Sequence, residues 1–542
     1  MSAGEPGLAG LAGPASAGKV EIYDTTLRDG SQQVGLDLTV ADKLHVAVAL
    51  DALGVDVVEG GWPGSNPKDA EFFARAADLP WRHAKLAAFG ATRPPRRSTD
   101  DDPNLLALLA ARTPIVTLVG KAWTLHVDEA LRTTRDENLA MVAESVRFMA
   151  AEGRRVVFDA EHFFDGYRAD PGYALAVLAA AAEAGADTLA LCDTNGGTLP
   201  DEAARILAEV DAVTRARLGV HFHNDSACAV ANSVVAVAGG ALHVQGAANG
   251  YGERCGNADL FSVIASLELK RGHELLPPGR LAALASTART IADLANLPLA
   301  SRQPYVGSSA FTTKAGLHAS AIARRPDAYS HVDPGLVGNE ARVLVSELAG
   351  RSNVLAKAAE LGLDLSGDPA LASTILDQIK DAEHRGYAFE AADASFELLL
   401  RDELAGERRR HFTVESWRVI VERRADGAVT SEATVRLTAK GERVVAVGEG
   451  NGPVNALDKA LRVALEQTFP ELANLELADF KVRILEGSHG TGAVTRVLIE
   501  SGDGAGDMWS TVGVDENIIA ASWHALEEAV SYGLLKAGRE PD

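Results

Sequence analysis

From Val20 to about Leu269, short apolar runs alternate with longer Ala-rich stretches whose apolar positions recur at helical spacing. The runs are VEIYD (20–24), VDVVEGG (55–61), AKLAAFG (84–90), IVTLVG (115–120), RVVFDAE (155–161), TLALCDT (188–194), LGVHFHND (218–225) and HVQGAANG (243–250). Helices are predicted between them, for example over 39–53, 133–152, 171–184, 200–216 and 226–238. Eight βα units of this kind predict a parallel sheet closed into a (β/α)8 TIM barrel over residues 19–275. The pattern then changes. Residues 276–405 read as mostly helical, with loops around Pro298, Pro304 and 326–338. From His411, period-two alternation returns in SWRVIVERR, ATVRLTA and ERVVAVGEG, as in an antiparallel sheet, and GNGPVNALDKALRVALEQ (450–467) reads as a Gly-rich turn into an amphipathic helix. FKVRILEG, AVTRVLIES and WSTVGVDENI, followed by IAASWHALEEAVSYGLLK, repeat that scheme. Residues 411–537 are thus expected to form a C-terminal α+β domain of two weakly similar halves, with RDELAGERRR (401–410) as its boundary.

Composition narrows the function. The chain of 542 residues is long enough for two to four domains, and its 47% apolar and 23% charged content is that of a globular protein. A net charge of −23 argues against nucleic acid and against an anionic membrane as partners, and no apolar run reaches spanning length. An anionic substrate must then be met by local positive groups. Cys192, Cys228 and Cys255 are widely spaced and odd in number; they form no disulfide framework and fit a reducing, cytoplasmic setting. Residues 1–18, without a basic start or a continuous apolar core, are expected to be a disordered extension.

In barrels of this type the chemistry sits at the C-terminal ends of the strands. There the chain carries Arg28 and Asp29 (in DTTLRDG), Glu161, Asp193, Thr194, and His221 and His223 (in HFHND), with Asn257 on the loop after the eighth strand. Residues i and i+2 of a strand share a face, so His221 and His223 can point at one centre. Imidazoles and a carboxylate suit a divalent ion such as Mg, Mn or Zn, and Arg28 adds an anion-binding cation. Either half alone is weak: a His-x-His pair is more often two satisfied histidines, and Asp-Gly is ordinary turn chemistry. The barrel gives the pair its force, because it brings both ends together.

DTTLRDGSQ, EGGWPGSNPKD (59–69), HFHND, GERCGNADL (252–260) and KAGLHASAI (314–322) resemble the family that condenses acetyl-CoA with 2-oxo acids, which includes isopropylmalate, homocitrate and citramalate synthases. EGGWPGSNPKD, DPGLVGNEARVLVSELAGRSNV and FEAADASFELL look like the citramalate branch, and the block from Phe412 resembles the family's regulatory domain. The resemblance implies Asp29, His221, His223 and Asn257 as metal ligands and Arg28 as the cation facing substrate oxygen. It implies Glu161 as an active-site glutamate, Thr194 as the holder of the oxo-acid carboxylate, His318 as the base and Tyr329 as its partner. The implied substrates are acetyl-CoA and pyruvate, with isopropylmalate synthesis the alternative. The implied assembly is a homodimer with isoleucine as feedback effector. Structural readings stand beside these. Glu161 could simply pair with Arg28, Asp193 could orient Thr194 or a ligand histidine, and Cys192 could be a buried small hydrophobe. His126, His162, His243 and His331 are taken as structural. Gly450-Asn451-Gly452-Pro453 could be a plain turn or a carboxylate-binding helix start.

Overall fold

In a computed structural model the apolar runs form eight strands: β1 (Glu21–Asp24), β2 (Val57–Glu59), β3 (Lys85–Ala91), β4 (Ile115–Lys121), β5 (Arg155–Glu161), β6 (Thr188–Asp193), β7 (Arg217–Phe222) and β8 (His243–Gly246). The structure describes residues 19–541 except 215, 314–320, 322–324, 326–328, 344–350, 364, 366–368, 486–491 and 505–506. The expected N-terminal extension, 1–18, lies outside the described residues. Every strand pairs in parallel with the next, and β1 pairs with β8, so the barrel closes. Helices cover the outside, among them α1 (Val40–Leu53), started by a Thr39–Asp42 capping box and ended by Gly54 in the left-handed region. Inside, Tyr23, Val57, Ala87, Ile115, Val157 and Ala190 form an apolar layer. One step toward the strand ends the interior turns polar, with Glu59, Thr117, Asp159, His221 and Gln245 all buried.

The chain divides into two compact units, one of residues 1–311 and 332–340, the other of 312–331 and 341–542. The second unit contains helices Arg351–Glu360, Pro369–His384 and Asp393–Ala405, then two blocks of three antiparallel strands and a helix. The first block is Phe412–Arg423, Val429–Ala439 and Glu442–Gly450 with helix Pro453–Leu465. The second is Glu476–Ile484, Thr495–Gly502 and Met508–Asp515 with helix Ile518–Lys536. A Cβ at Gly450 would come within 2.6 Å of Ala456 N, so glycine lets the first helix lie directly on its sheet. Helix Asp393–Ala405 serves both sides. Phe396 and Leu400 pack among the preceding helices, while Ser395 Oγ accepts from Val512 N at 2.9 Å and Glu397 accepts from the Tyr532 hydroxyl at 2.7 Å. No helix among the described residues is long and apolar enough to cross a membrane.

Candidate active site

β1 ends at Asp24, and the chain turns so that Arg28 N and Gly30 N both donate to Thr25 O. This turn sets Asp29 at the barrel mouth. β7 ends at Phe222, one residue short of His223, which is placed instead by a backbone bridge to Asn257 and by its own N–H donating to Asp193 O at 3.3 Å. Asp29 Oδ2 lies 3.2 Å from His221 Nε2 and 3.5 Å from His223 Nε2, and the two Nε2 atoms are 3.2 Å apart. All three residues are buried, and among the described residues they form a group that could hold a metal ion.

Asn257 is buried, with Nδ2 donating to Tyr251 O at 2.9 Å. Asp29 Oδ2 and Asn257 Oδ1 are buried oxygens with no hydrogen-bond donor of their own. An orphaned carboxylate oxygen against two imidazole nitrogens, with a second orphaned oxygen on Asn257, whose backbone bridges to His223, fits a divalent cation with mixed oxygen and nitrogen ligands. Gly252 is required here: at φ 151° it lies so close that a Cβ would fall 2.3 Å from Asn257 Nδ2.

The electrostatics agree. Burial pushes the Asp29 carboxyl upward, but Arg28, His221 and His223 more than reverse it, holding it well below the usual carboxylate range. Burial, reinforced by His221, lowers His223 to about 4, so its ring is neutral near pH 7. Burial opposes charge on His221, yet contact with Asp29 raises it above its ordinary value.

Arg28 is gripped by Glu59, whose Oε2 accepts from Nε at 2.6 Å, and its guanidinium carbon sits 3.9 Å above the centre of the Phe89 ring. Arg28 thus pairs with Glu59 and, at 3.4 Å, with Asp29, not with Glu161. Glu161 forms a close ion pair with Lys121. Thr194 Oγ1 accepts from His162 N at 2.9 Å, which leaves its own proton to donate. A cavity of about 470 Å³ at the strand ends is lined by Arg28, Asp29, Lys121, Glu161, Thr194, His221 and His223 together. His318 lies outside the described residues. Tyr329 belongs to the second unit and is 52% exposed.

The structural readings are also resolved. Asp193 accepts from Thr198 N at 3.0 Å and shapes the loop after β6. Burial pushes the Cys192 thiol well up, as suits an inert side chain. His243 pairs with Glu21 at 2.8 Å, and His126 packs on Trp123 and His162. Glu59, Lys121 and Gln245 were not singled out from sequence. Glu59 and Lys121 did carry a signal, as charged residues ending apolar strands; Gln245, neutral and mid-strand, carried none.

Comparison with known proteins places this site in context. Residues 19–291 match the HMGL-like family, 305–386 the homocitrate synthase post-HMGL domain-like family and 390–534 the LeuA allosteric (dimerisation) domain. The chain is 58% identical to an (R)-citramalate synthase of Streptomyces coelicolor, covering 96% of this chain and 97% of that protein. It is 49% identical to one of Geobacter sulfurreducens, with 96% and 98% covered, and 48% identical to one of Aquifex aeolicus, with 97% and 99% covered.

Proposed function

Since the chain belongs to the citramalate synthases of the HMGL-like family, we propose that its barrel condenses acetyl-CoA with pyruvate and hydrolyses the thioester, giving citramalate and CoA. The observation that carries the reading at the level of chemistry is the convergence of Asp29 Oδ2, His221 Nε2 and His223 Nε2 beside Arg28.

Asp29, His221, His223 and Asn257 would hold a divalent ion, Mg, Mn or Zn, which when bound supplies a Lewis acid and an orienting template for the 2-oxo acid. Arg28 presents its remaining N–H donors to the cavity, where they favour the alkoxide that develops as the new carbon–carbon bond forms. Glu59 and Phe89 keep that guanidinium from swinging away. The Thr194 hydroxyl donates to the oxo-acid carboxylate while it accepts from His162 N. A base must take a proton from the acetyl methyl. The family resemblance assigns this to His318 with Tyr329 beside it, and Glu161, held against Lys121, is the other candidate in the cavity. His318→Ala should lower turnover by roughly 10²–10⁴-fold. Deuterium exchange into the acetyl methyl at the parent rate in that variant would move the role to Glu161.

The activity is tested by CoA release from acetyl-CoA with pyruvate against 3-methyl-2-oxobutanoate, with and without chelator. Preference for pyruvate, lost on chelation and restored by added metal, is the expected result. Preference for the branched oxo acid would shift the assignment to isopropylmalate synthesis.

The second unit supports a homodimer under feedback control. The first three-stranded sheet covers one face with its helix and leaves Ile420, Val445 and Val447 exposed on the other, and the edge strand of the second sheet exposes Val482 and Ile484. Patches of this kind mark protein–protein contacts. Isoleucine is the proposed effector, since citramalate made from pyruvate leads to it. Coupling of this kind is worth ~1–3 kcal/mol. Calorimetry of isoleucine, leucine and valine with the full chain tests it; leucine preference would overturn the isoleucine assignment.

A further inference from the structure

Gln245 sits in the barrel wall where β8 meets its two neighbours, in register with Tyr23 of β1 and His221 of β7. Its side chain is wholly buried inside the barrel. The amide has one acceptor and two donors, and both ends are committed: Nε2 donates to Asp159 Oδ1 at 2.8 Å, and Oε1 faces His221 Nδ1 at 2.9 Å. The first contact decides the second. With the NH2 turned to a carboxyl oxygen, the carbonyl must face the imidazole, and His221 must carry its proton on Nδ1. In the neutral ring Nε2 then presents a lone pair, and this is the atom 3.2 Å from Asp29 Oδ2 and 3.2 Å from His223 Nε2. His223 has no such support, for its Nδ1 is buried without a partner and its position comes from the loop backbone.

We propose that Gln245 is a positioning residue for the metal site, fixing the tautomer and the ring angle of His221 through the chain Asp159–Gln245–His221. This rests on the reading of Asp29, His221, His223 and Asn257 as a divalent-ion site. A ligand histidine whose second nitrogen lacks an acceptor is free to rotate, or to carry its proton on the nitrogen that should bind. Gln245 is wholly buried and does not line the cavity. Its effect must therefore show first in metal affinity, and in turnover only through metal occupancy.

The test uses the full-length protein stripped of metal and titrated with Mn²⁺ by calorimetry, with the metal-free thermal midpoint recorded for each variant. Gln245→Leu removes the acceptor and should weaken Mn²⁺ binding about 10–100-fold, the range for lost outer partners of ligand histidines. Saturating Mn²⁺ should recover most of its turnover. The exchange Asp159→Asn with Gln245→Glu keeps an acceptor toward Nδ1 and a donor between the two side chains. It should restore affinity close to the parent's even where the midpoint stays low. Parent-like Mn²⁺ affinity in Gln245→Leu, with only the midpoint lowered, would make Gln245 a packing residue and overturn the proposal. So would an exchange variant as weak as Gln245→Leu. If the parent itself binds no divalent ion, the metal reading fails, and this role with it.

Discussion

Glu59→Gln separates charge from hydrogen bonding at the centre of the barrel. Glu59 is 0% exposed, with Oε2 accepting from Arg28 Nε at 2.6 Å and Oε1 from the Tyr23 hydroxyl at 2.7 Å. A glutamine fits the same space. Its Oε1 can face Arg28 while its Nε2 donates to the Tyr23 oxygen, which passes its own proton to Thr117 Oγ1 at 2.6 Å. The hydrogen bonds survive and one negative charge disappears. Removing one member of a buried ion pair costs about 3–5 kcal/mol, because the other charge is left uncompensated. Asp29 Oδ1, 3.4 Å from Arg28 Nη1, remains as a partial counter-charge. That places the expected cost at the lower end, about 3 kcal/mol. At roughly 2–4 °C per kcal/mol for a domain of this size, the barrel's thermal midpoint should fall by roughly 6–12 °C. Scanning calorimetry of both proteins in excess chelator measures it, since bound metal would otherwise mask part of the loss. A fall of less than about 2 °C, under 1 kcal/mol, would refute the view that Glu59 compensates a desolvated Arg28.

Three further outcomes follow from the same geometry. Gly252→Ala places a side chain at a left-handed backbone position and against Asn257 Nδ2, so it should cost about 1–3 kcal/mol of stability and weaken divalent-ion binding in calorimetry. Metal-stripped His221→Ala should regain no activity with Mg, Mn or Zn, and full activity of that variant would remove His221 from the ligand set. Glu528 is half-buried against Ser395, and burial raises its pKa from 4.5 to about 7. Between those values the folded unit keeps a proton that the unfolded chain has lost, so its stability falls as pH rises through that window. Glu528→Gln should therefore raise the second unit's thermal midpoint at pH 8 and leave it nearly unchanged at pH 5.

The barrel was legible because its strands are buried on both faces and stand out as apolar runs between helices; RVVFDAE is a strand over the range predicted. Strand ends were less legible. LGVHFHND was expected to run to Asp225, but the strand stops at Phe222, because Asn224 N turns to Gly256 O instead of continuing the ladder. His221 and His223 nevertheless face one centre, as period two requires. The partner of Arg28 could not be read from spacing. Glu59 ends β2, which lies beside β1 in the closed ring, whereas Glu161 ends β5, across it. Only closure of the ring decides between the two. Gln245 escaped notice because an uncharged residue in a buried strand looks like filler until its two neighbours are known. His318 rests on family resemblance alone.

The seam of the barrel has a kinetic consequence. Asp29 follows the first strand, while His221 lies in the seventh, His223 just after it and Asn257 after the eighth, and β1 meets β8 only when the ring shuts. No fragment emerging during synthesis contains the whole proposed ligand set until the eighth strand and the loop after it have been made. A cation that needs all four groups therefore cannot trap a half-built barrel. Bound there, it would act as a latch on the finished ring, slowing reopening at the seam where the two ends of the domain meet. Metal supplied early in refolding should leave the rate of barrel formation unchanged and slow its unfolding, as expected for contacts formed after the transition state.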